Sequence, residues 1–273
     1  MVNLTDTSQR QFQRLLKKLH LQTLCSKISC PDIKECLANR TAAFLILGDT
    51  CTRTCRFCPA LKGWPMPVDL LEAQNLAAAV LHLRLQHIII TSVTRDDLPL
   101  GGAEQYAASI RAVQTWSPDT SIEVLVPDFR GNVAAMNTIL SLHPAVFNHF
   151  VGTVPRLYPE IRPIGDYEQS LDVLRYAAAY DSAILVKSGV FVGLGESMDE
   201  LAGVFNDLYR SGVCILTITQ YVRPSRKHMP VVEVVSPGKL EMYRRMAKDI
   251  GFAYVVSGGA ACQPFETVFI GGK

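Results

Sequence analysis

Apolar and β-branched residues crowd into short runs: "AAFLILG" (42–48), "HIIITSV" (87–93), "SIEVLVP" (121–127), "AVFNHFV" (145–151), "ILVKSGVFVGLG" (184–195) and "CILTITQYV" (214–222). Such runs predict strands buried on both faces, as in a parallel sheet. Between them apolar residues recur at helical spacing over 70–85, 103–115, 132–142, 167–180, 198–211 and 237–250, with Asp69, Asp166 and Ser236 placed as helix caps. Strict alternation without a mid-chain linker predicts one parallel α/β barrel, closed or open. Active sites of that architecture gather where the strands end. The polar residues cluster there too: a cysteine loop after the first run, "TSVTRDDLP" after the second, "PDFRGN" after the third, "NH" closing the fourth, "GLGE" after the fifth and "QYVRPSRKH" after the sixth. No internal repeat or low-complexity segment interrupts the series.

The N-terminus adds an amphipathic stretch, with Phe12, Leu15, Leu16 and Leu19 on one side and Arg14, Lys17 and Lys18 on the other. It reads as a short helix packed on the domain edge, with a transit peptide as the alternative. No apolar core of a secretory signal precedes it. The 273 residues are 48% hydrophobic and 19% charged with a net charge of +2, enough for one large core and without the like-charge blocks of a nucleic-acid binder. No apolar run approaches the roughly 20 residues of a membrane span. These features predict a cytoplasmic protein that engages neither nucleic acid nor membrane.

Cysteine usage changes the picture. Of eight cysteines, six lie between residues 25 and 58, and only Cys214 and Cys262 lie outside. Without an export signal, metal is a better reading than disulfides. Cys214, inside an apolar run, reads as a small buried hydrophobe. In "DTCTRTCRFCP" the residues Cys51, Cys55 and Cys58 form a Cys-x3-Cys-x2-Cys loop just after the first strand. Three thiolates can hold three irons of a [4Fe–4S] cluster and leave the fourth iron open for chemistry. A structural zinc is the competing reading.

That loop, opening a βα series, resembles the radical S-adenosylmethionine (SAM) superfamily. Upstream, "CSKISCPDIKEC" supplies Cys25, Cys30 and Cys36, and the two triads together resemble the lipoyl synthase family. "IIITSVTRDDLPLGGAEQYA", "IEVLVPDFRGN", "TVPRLYPEIRP", "KSGVFVGLGE" and "LTITQYVRPSRKHMPV" continue the resemblance over roughly residues 20–258. The implied fold is α/β: a partial (β/α)6 barrel of the radical SAM type over 41–258, an N-terminal extension over 1–40 carrying an auxiliary-cluster triad, and a C-terminal tail over 259–273. The implied activity is sulfur insertion at C6 and C8 of an octanoyl-lysine on a carrier, giving a lipoyl group. The implied cofactors are two [4Fe–4S] clusters and SAM. Cys51, Cys55 and Cys58 would hold the cluster that cleaves SAM to a 5′-deoxyadenosyl radical, which takes hydrogens that no side-chain base could remove. Cys25, Cys30 and Cys36 would hold the sulfur-donating cluster, laid across the barrel mouth by the N-terminal segment.

The resemblance also implies partners: an octanoylated lipoyl domain or a glycine-cleavage H-type protein, and an electron donor such as ferredoxin or flavodoxin. Ser92, Arg95, Asp96, Lys187, Ser188, Gly193 and Glu196 fall where SAM would bind, with Arg95 suited to the methionine carboxylate. Arg223, Arg226, Lys227 and His228 form a basic rim suited to an acidic carrier. Three departures stand out. Where the family has Asn, a hydrophobic residue and Glu this chain has Phe150, Val151 and Gly152, losing two polar strand-end groups; Thr219 replaces a glycine, and Cys262 stands in a tail that lacks the family's iron-binding serine. Cys262 is therefore the candidate fourth ligand of the auxiliary cluster. The alternatives are a paralogue with a related acyl substrate, or a protein that keeps its clusters and has lost turnover.

Overall fold

Residues 6–27 and 33–258 are described by the computed structural model. The chain opens with α1 (Asp6–Lys18), β1 (Gln22–Thr23), α2 (Leu24–Lys27) and α3 (Ile33–Ala38). It continues through β2 (Thr41–Ile46), the two-residue β3 (Thr50–Cys51) and β4 (Leu61–Lys62), α4 (Glu72–Leu83), β5 (His87–Ser92), α5 (Ala103–Trp116) and β6 (Ser121–Leu125). The second half comprises α6 (Val133–Leu140), β7 (Val146–Asn148), α7 (Tyr158–Ile161), α8 (Tyr167–Tyr180), β8 (Leu185–Val192), α9 (Met198–Arg210), β9 (Ile215–Gln220), α10 (Pro237–Ile250) and β10 (Tyr254–Gly258). One sheet runs β1-β2-β5-β6-β7-β8-β9-β10 without closing, and β3 pairs with β4 separately. Every neighbour in the large sheet is parallel except β1, which runs antiparallel to β2. The six expected strands and six expected helices are all present. β10 is an addition, in register with β9 from Tyr254↔Ile215 onward.

Alternation along each strand divides the sheet into two faces. Phe44, Ile46, Ile88, Ile90, Val124, Val186, Val190 and Ile218 point outward and merge with Leu76, Tyr106, Ile110, Leu174 and Phe205 of the covering helices. Burying each such side chain stabilises by about 1.5–3 kcal/mol, which is why these strands read as unbroken apolar runs. The concave face carries a different set: the register aligns Ile89 with Glu123, Asn148 with Lys187, Gly189 with Thr217, and Phe191 with Thr219.

Two of the three expected caps hold: the Asp166 side chain accepts from Gln169 N, and that of Ser236 from Lys239 N. Asp69 does not cap α4. The helix starts two residues later, and Asp69 instead accepts from Leu71 N (2.9 Å) in a tight turn before it.

In α1, Phe12 and Leu16 are buried, as the amphipathic pattern requires. Leu24 and Ile33 pack on Ala43 and Ile89, so the extension lies against the concave face near the start of β2. Among the described residues, no helix is long and apolar enough to cross a membrane.

Candidate active site

The cysteine loop leaves the C-terminal end of β2, where parallel strands leave their last carbonyls and side chains unpaired. Cys51 is buried, and Cys55 and Cys58 are half-buried. The backbone is stapled from several directions. Thr52 N and Oγ1 both donate to the Thr94 carbonyl (3.1 and 3.0 Å), and Asp96 N donates back to Thr52 Oγ1 (3.1 Å). Arg56 N donates to Ile161 O (2.8 Å), while Arg56 O accepts from Met229 N (3.1 Å). His228 Nε2 donates to the Cys58 carbonyl (3.2 Å), so the expected basic rim reaches the cysteine loop itself. A loop fixed by three separate strand-end segments holds its thiols in place before anything binds.

Arg53, between Cys51 and Cys55, is the side chain that sequence reasoning missed. It is almost wholly buried and forks onto two carboxylates: Nε and Nη2 meet Asp96 at 2.7 and 2.9 Å, and Nη1 and Nη2 meet Asp128 at 2.6 and 2.7 Å. Burial opposes its charge, but the hydrogen bonds it donates to Asp96 and then to Asp128 outweigh this and hold its pKa above the ordinary value. Burial likewise opposes ionisation of Asp128, and the Arg53 hydrogen bonds still bring its carboxyl down to about 2. Asp128 is presented by a strained turn: Phe129 and Arg130 both adopt left-handed backbone (φ 47° and 51°), and Asp128 Oδ1 accepts from Arg130 N (2.9 Å). Consecutive left-handed non-glycine residues are costly and persist where the surroundings enforce them. The arginine inside the cysteine loop and the "PDF" at a strand end were the only sequence signals.

The other expected SAM residues are near the site but already engaged. Asp96 serves Arg53. Arg95 is buried with its fork on Asp97 (2.9 Å from both Nε and Nη2) and Nη1 on Leu47 O (3.4 Å). Ser92 lies on the helix-facing side, where Oγ accepts from the Tyr106 hydroxyl (3.0 Å). Ser188, on the same side of β8, donates to His149 O (2.8 Å) and accepts from Val151 N (3.4 Å). Glu196 closes its own turn by accepting from Gly193 N and Leu194 N. A side chain at Gly193 would meet Glu233 O at 2.3 Å, so the close approach there is by the chain itself.

Lys187 lies on the concave face and meets both oxygens of buried Glu123 (2.9 and 3.0 Å), which also accepts from Asn148 Nδ2 (2.7 Å). Burial opposes Glu123's charge, and the Lys187 charge overcomes it, bringing Glu123 to about 2. His149, just past β7, is pushed down to about 4 by burial and then by Arg162, so its ring is neutral. Its Nδ1 sits 2.9 Å from the Val126 carbonyl, which can only accept; the proton is therefore on Nδ1, and Nε2 is a buried acceptor without a protein partner. Asn148 Oδ1, Thr217 Oγ1 and Thr219 Oγ1 are also buried without partners. Buried polar atoms rarely stay unsatisfied in a finished site, so these atoms on β7, β9 and the turn after β7 fit a polar ligand.

The cysteines fit an iron–sulfur cluster through the chemistry of their donors. Burial above all pushes the Cys58 thiol up, with Cys55 and Cys51 adding repulsion, and a bound metal is what favours such a thiolate. Among the described residues, no three His, Cys, Asp or Glu side chains converge on a single metal ion. A cluster, with one iron per thiolate, requires no such convergence.

For the upstream triad, Cys36 is buried among Phe12, Thr23, Ile33, Leu37 and Thr41, at the start of β2. Cys51 lies beyond the other end of that strand, so Cys36 is not laid across the mouth that carries the cysteine loop. Only Asn39 and Arg40 separate α3 from β2, which ties Cys36 to the end where the strand begins. Cys25 falls in α2, and Cys30 and Cys262 lie outside the described residues. Cys214 is half-buried, and its Sγ donates to Val186 O (3.3 Å).

Residues 45–208 match the Radical SAM superfamily. A crystal structure of methylornithine synthase shares the fold, with a TM-score of 0.59 at 11% identity over 93% of this chain and 82% of that one. The loop, the open parallel barrel and this match define a radical SAM protein. Within that class, lipoyl synthase from Rubrobacter xylanophilus is 46% identical over 91% of this chain and 78% of its own length. Lipoyl synthase from Caldicellulosiruptor saccharolyticus is 47% identical over 89% and 86%. The chain belongs to the lipoyl synthase family.

Proposed function

We propose that this protein is a radical SAM sulfurtransferase that inserts sulfur at C6 and C8 of an octanoyl-lysine carried on a protein, giving a lipoyl group. The clamped Cys51–Cys55–Cys58 loop at the end of the first barrel strand carries this reading. Two [4Fe–4S] clusters and SAM supply the one-electron chemistry and the sulfur when bound. The chain's own residues supply placement. Cys51, Cys55 and Cys58 hold three irons and leave the fourth for SAM. Arg53, fixed by Asp96 and Asp128, prevents the loop from shifting when the cluster or ligand changes charge. His149 Nε2, Asn148 Oδ1, Thr217 and Thr219 offer hydrogen-bonding atoms to the polar parts of SAM, while Arg95, Ser92, Ser188 and Glu196 shape the loops around it.

Cys25, Cys30 and Cys36, with Cys262 as fourth ligand, hold the sulfur-donating cluster. The barrel mouth beside Cys51, Cys55 and Cys58 receives the acyl chain. An octanoylated lipoyl domain or H-type carrier delivers that chain, and the exposed Arg56, Lys62, Arg223, Arg226 and Lys227 around the cysteine loop suit an acidic carrier surface. A ferredoxin or flavodoxin is the reductant, and the cytoplasm is the compartment in which these thiols stay reduced. The test is anaerobic reconstitution followed by measurement of 5′-deoxyadenosine. Wild type should form it, and Cys51→Ala, Cys55→Ala and Cys58→Ala should not; undiminished cleavage in any of the three rejects the assignment.

A further inference from the structure

An aromatic row crosses the barrel mouth beside the cysteine loop. Phe191 is its hub, with ring centroids 4.8 Å from Phe150, 5.3 Å from Phe57 and 5.8 Å from Tyr221. Phe57 lies between Cys55 and Cys58. Phe191 lies on the concave face, opposite Thr219 in register, and Phe150 enters from the turn after β7. Phe57, Phe150 and Phe191 are each half-buried.

Phe150 is held in place. Arg162 Nη1 donates to the carbonyls of Phe150 (2.9 Å) and Val151 (2.7 Å), and Ser188 Oγ accepts from Val151 N. Its ring fills the space above Gly189, where a Cβ would lie 2.6 Å from Phe150 Cε2 and 2.9 Å from Thr217 O. Gly189 thus lets this ring reach the concave face.

We infer that Phe150 and Phe191 form the stop against which the end of the acyl chain rests, so that they set chain length and the carbon presented for hydrogen removal. The inference rests on the proposed function, which places an unbranched alkyl chain in this mouth. The free end of such a chain has no polar handle, so packing decides where it stops. Hydrogen removal needs reacting atoms in near contact, and a displacement by one carbon presents the wrong hydrogen. A wall of fixed rings provides that limit, and each methylene it rejects is worth about tenfold or more in discrimination.

The test uses anaerobically reconstituted protein and one lysine peptide bearing hexanoyl, octanoyl or decanoyl groups. Peptide affinity is read by fluorescence anisotropy. With SAM and reductant, deuterium placed at C6 or C8 of the octanoyl group is followed into 5′-deoxyadenosine. Wild type should bind octanoyl about a hundredfold more tightly than decanoyl, which is longer by two methylenes. Phe150→Ala should bring that ratio close to one and change the proportion of C6 to C8 label, whereas Phe150→Trp should move preference toward hexanoyl. Thermal melting establishes that both variants fold. A wild-type ratio near one, or an unchanged ratio in folded Phe150→Ala and Phe150→Trp, overturns the inference. If affinity follows residue 150 as expected but no sulfur is inserted by wild type, the proposed reaction fails and the acyl stop stands.

Discussion

Asp128, fully buried, meets the Arg53 guanidinium through both carboxylate oxygens at 2.6 and 2.7 Å, across 75 residues of chain. Since Arg53 sits between two cysteines of the cluster loop, this contact joins the loop after β6 to the loop after β2. Arg53→Leu leaves buried Asp128 without its cation, while Asp96 keeps Arg130 (3.3 Å), and breaking a buried pair in this way should cost about 3–5 kcal/mol. Arg53→Lys keeps the charge and loses the fork. Both should retain less iron after gel filtration than wild type, and Arg53→Leu should unfold at clearly lower denaturant; wild-type iron retention in both would remove Arg53 from the site.

The same contact sets a pH window. Asp128 is lowered from an ordinary 3.8 to about 2. A depressed carboxyl contributes stability that is present above its unfolded pKa and is lost as pH falls through the folded one. The charge-dependent part of the stability difference between wild type and Asp128→Asn should therefore be constant from neutral pH to about 5, shrink below about 4 and be lost below about 2. Unfolding measured at several pH values tests this, and a difference that varied between pH 6 and 8 would contradict it.

Lys187 and Glu123 form a second buried pair, inside the barrel. Lys187→Met should destabilise by about 3–5 kcal/mol, because it strands the Glu123 charge. Adding Glu123→Leu should recover much of that loss, since apolar replacement of a whole buried pair is often near neutral. Denaturation of the single and double variants reads the coupling. Equal stability of the two would mean that Glu123 does not depend on Lys187.

The two triads should be separable. Replacing Cys25, Cys30 and Cys36 by alanine should lower bound iron from about eight atoms to about four, leave 5′-deoxyadenosine formation detectable, and abolish sulfur transfer. Iron and sulfide assays with product mass spectrometry decide it, and persistent sulfur insertion would require another donor.

Much of this architecture was legible because each strand and helix declares itself locally. The helix expected over 167–180 is Tyr167–Tyr180, and that over 237–250 is Pro237–Ile250. β10 escaped notice because its five residues are only half-buried and short. β7 stops at Asn148, three residues before the end of its apolar run, where the next side chain, His149, bonds to Val126 O. Strand alternation could have placed Ser92 in phase with Ile88 and Ile90, facing the helices, and Lys187 in phase with Gly189 and Phe191, facing the barrel. The Arg53–Asp128 contact was not legible, since nothing local links residues so far apart.

Mass analysis of an octanoylated carrier, after anaerobic incubation with the reconstituted protein, SAM and a one-electron reductant, bears most directly on the chemistry. A carrier bearing two new sulfurs, with two 5′-deoxyadenosines formed for each lipoyl group, is expected. A carrier left as octanoyl while SAM is cleaved, or a carrier altered without sulfur, would contradict sulfur insertion by this protein.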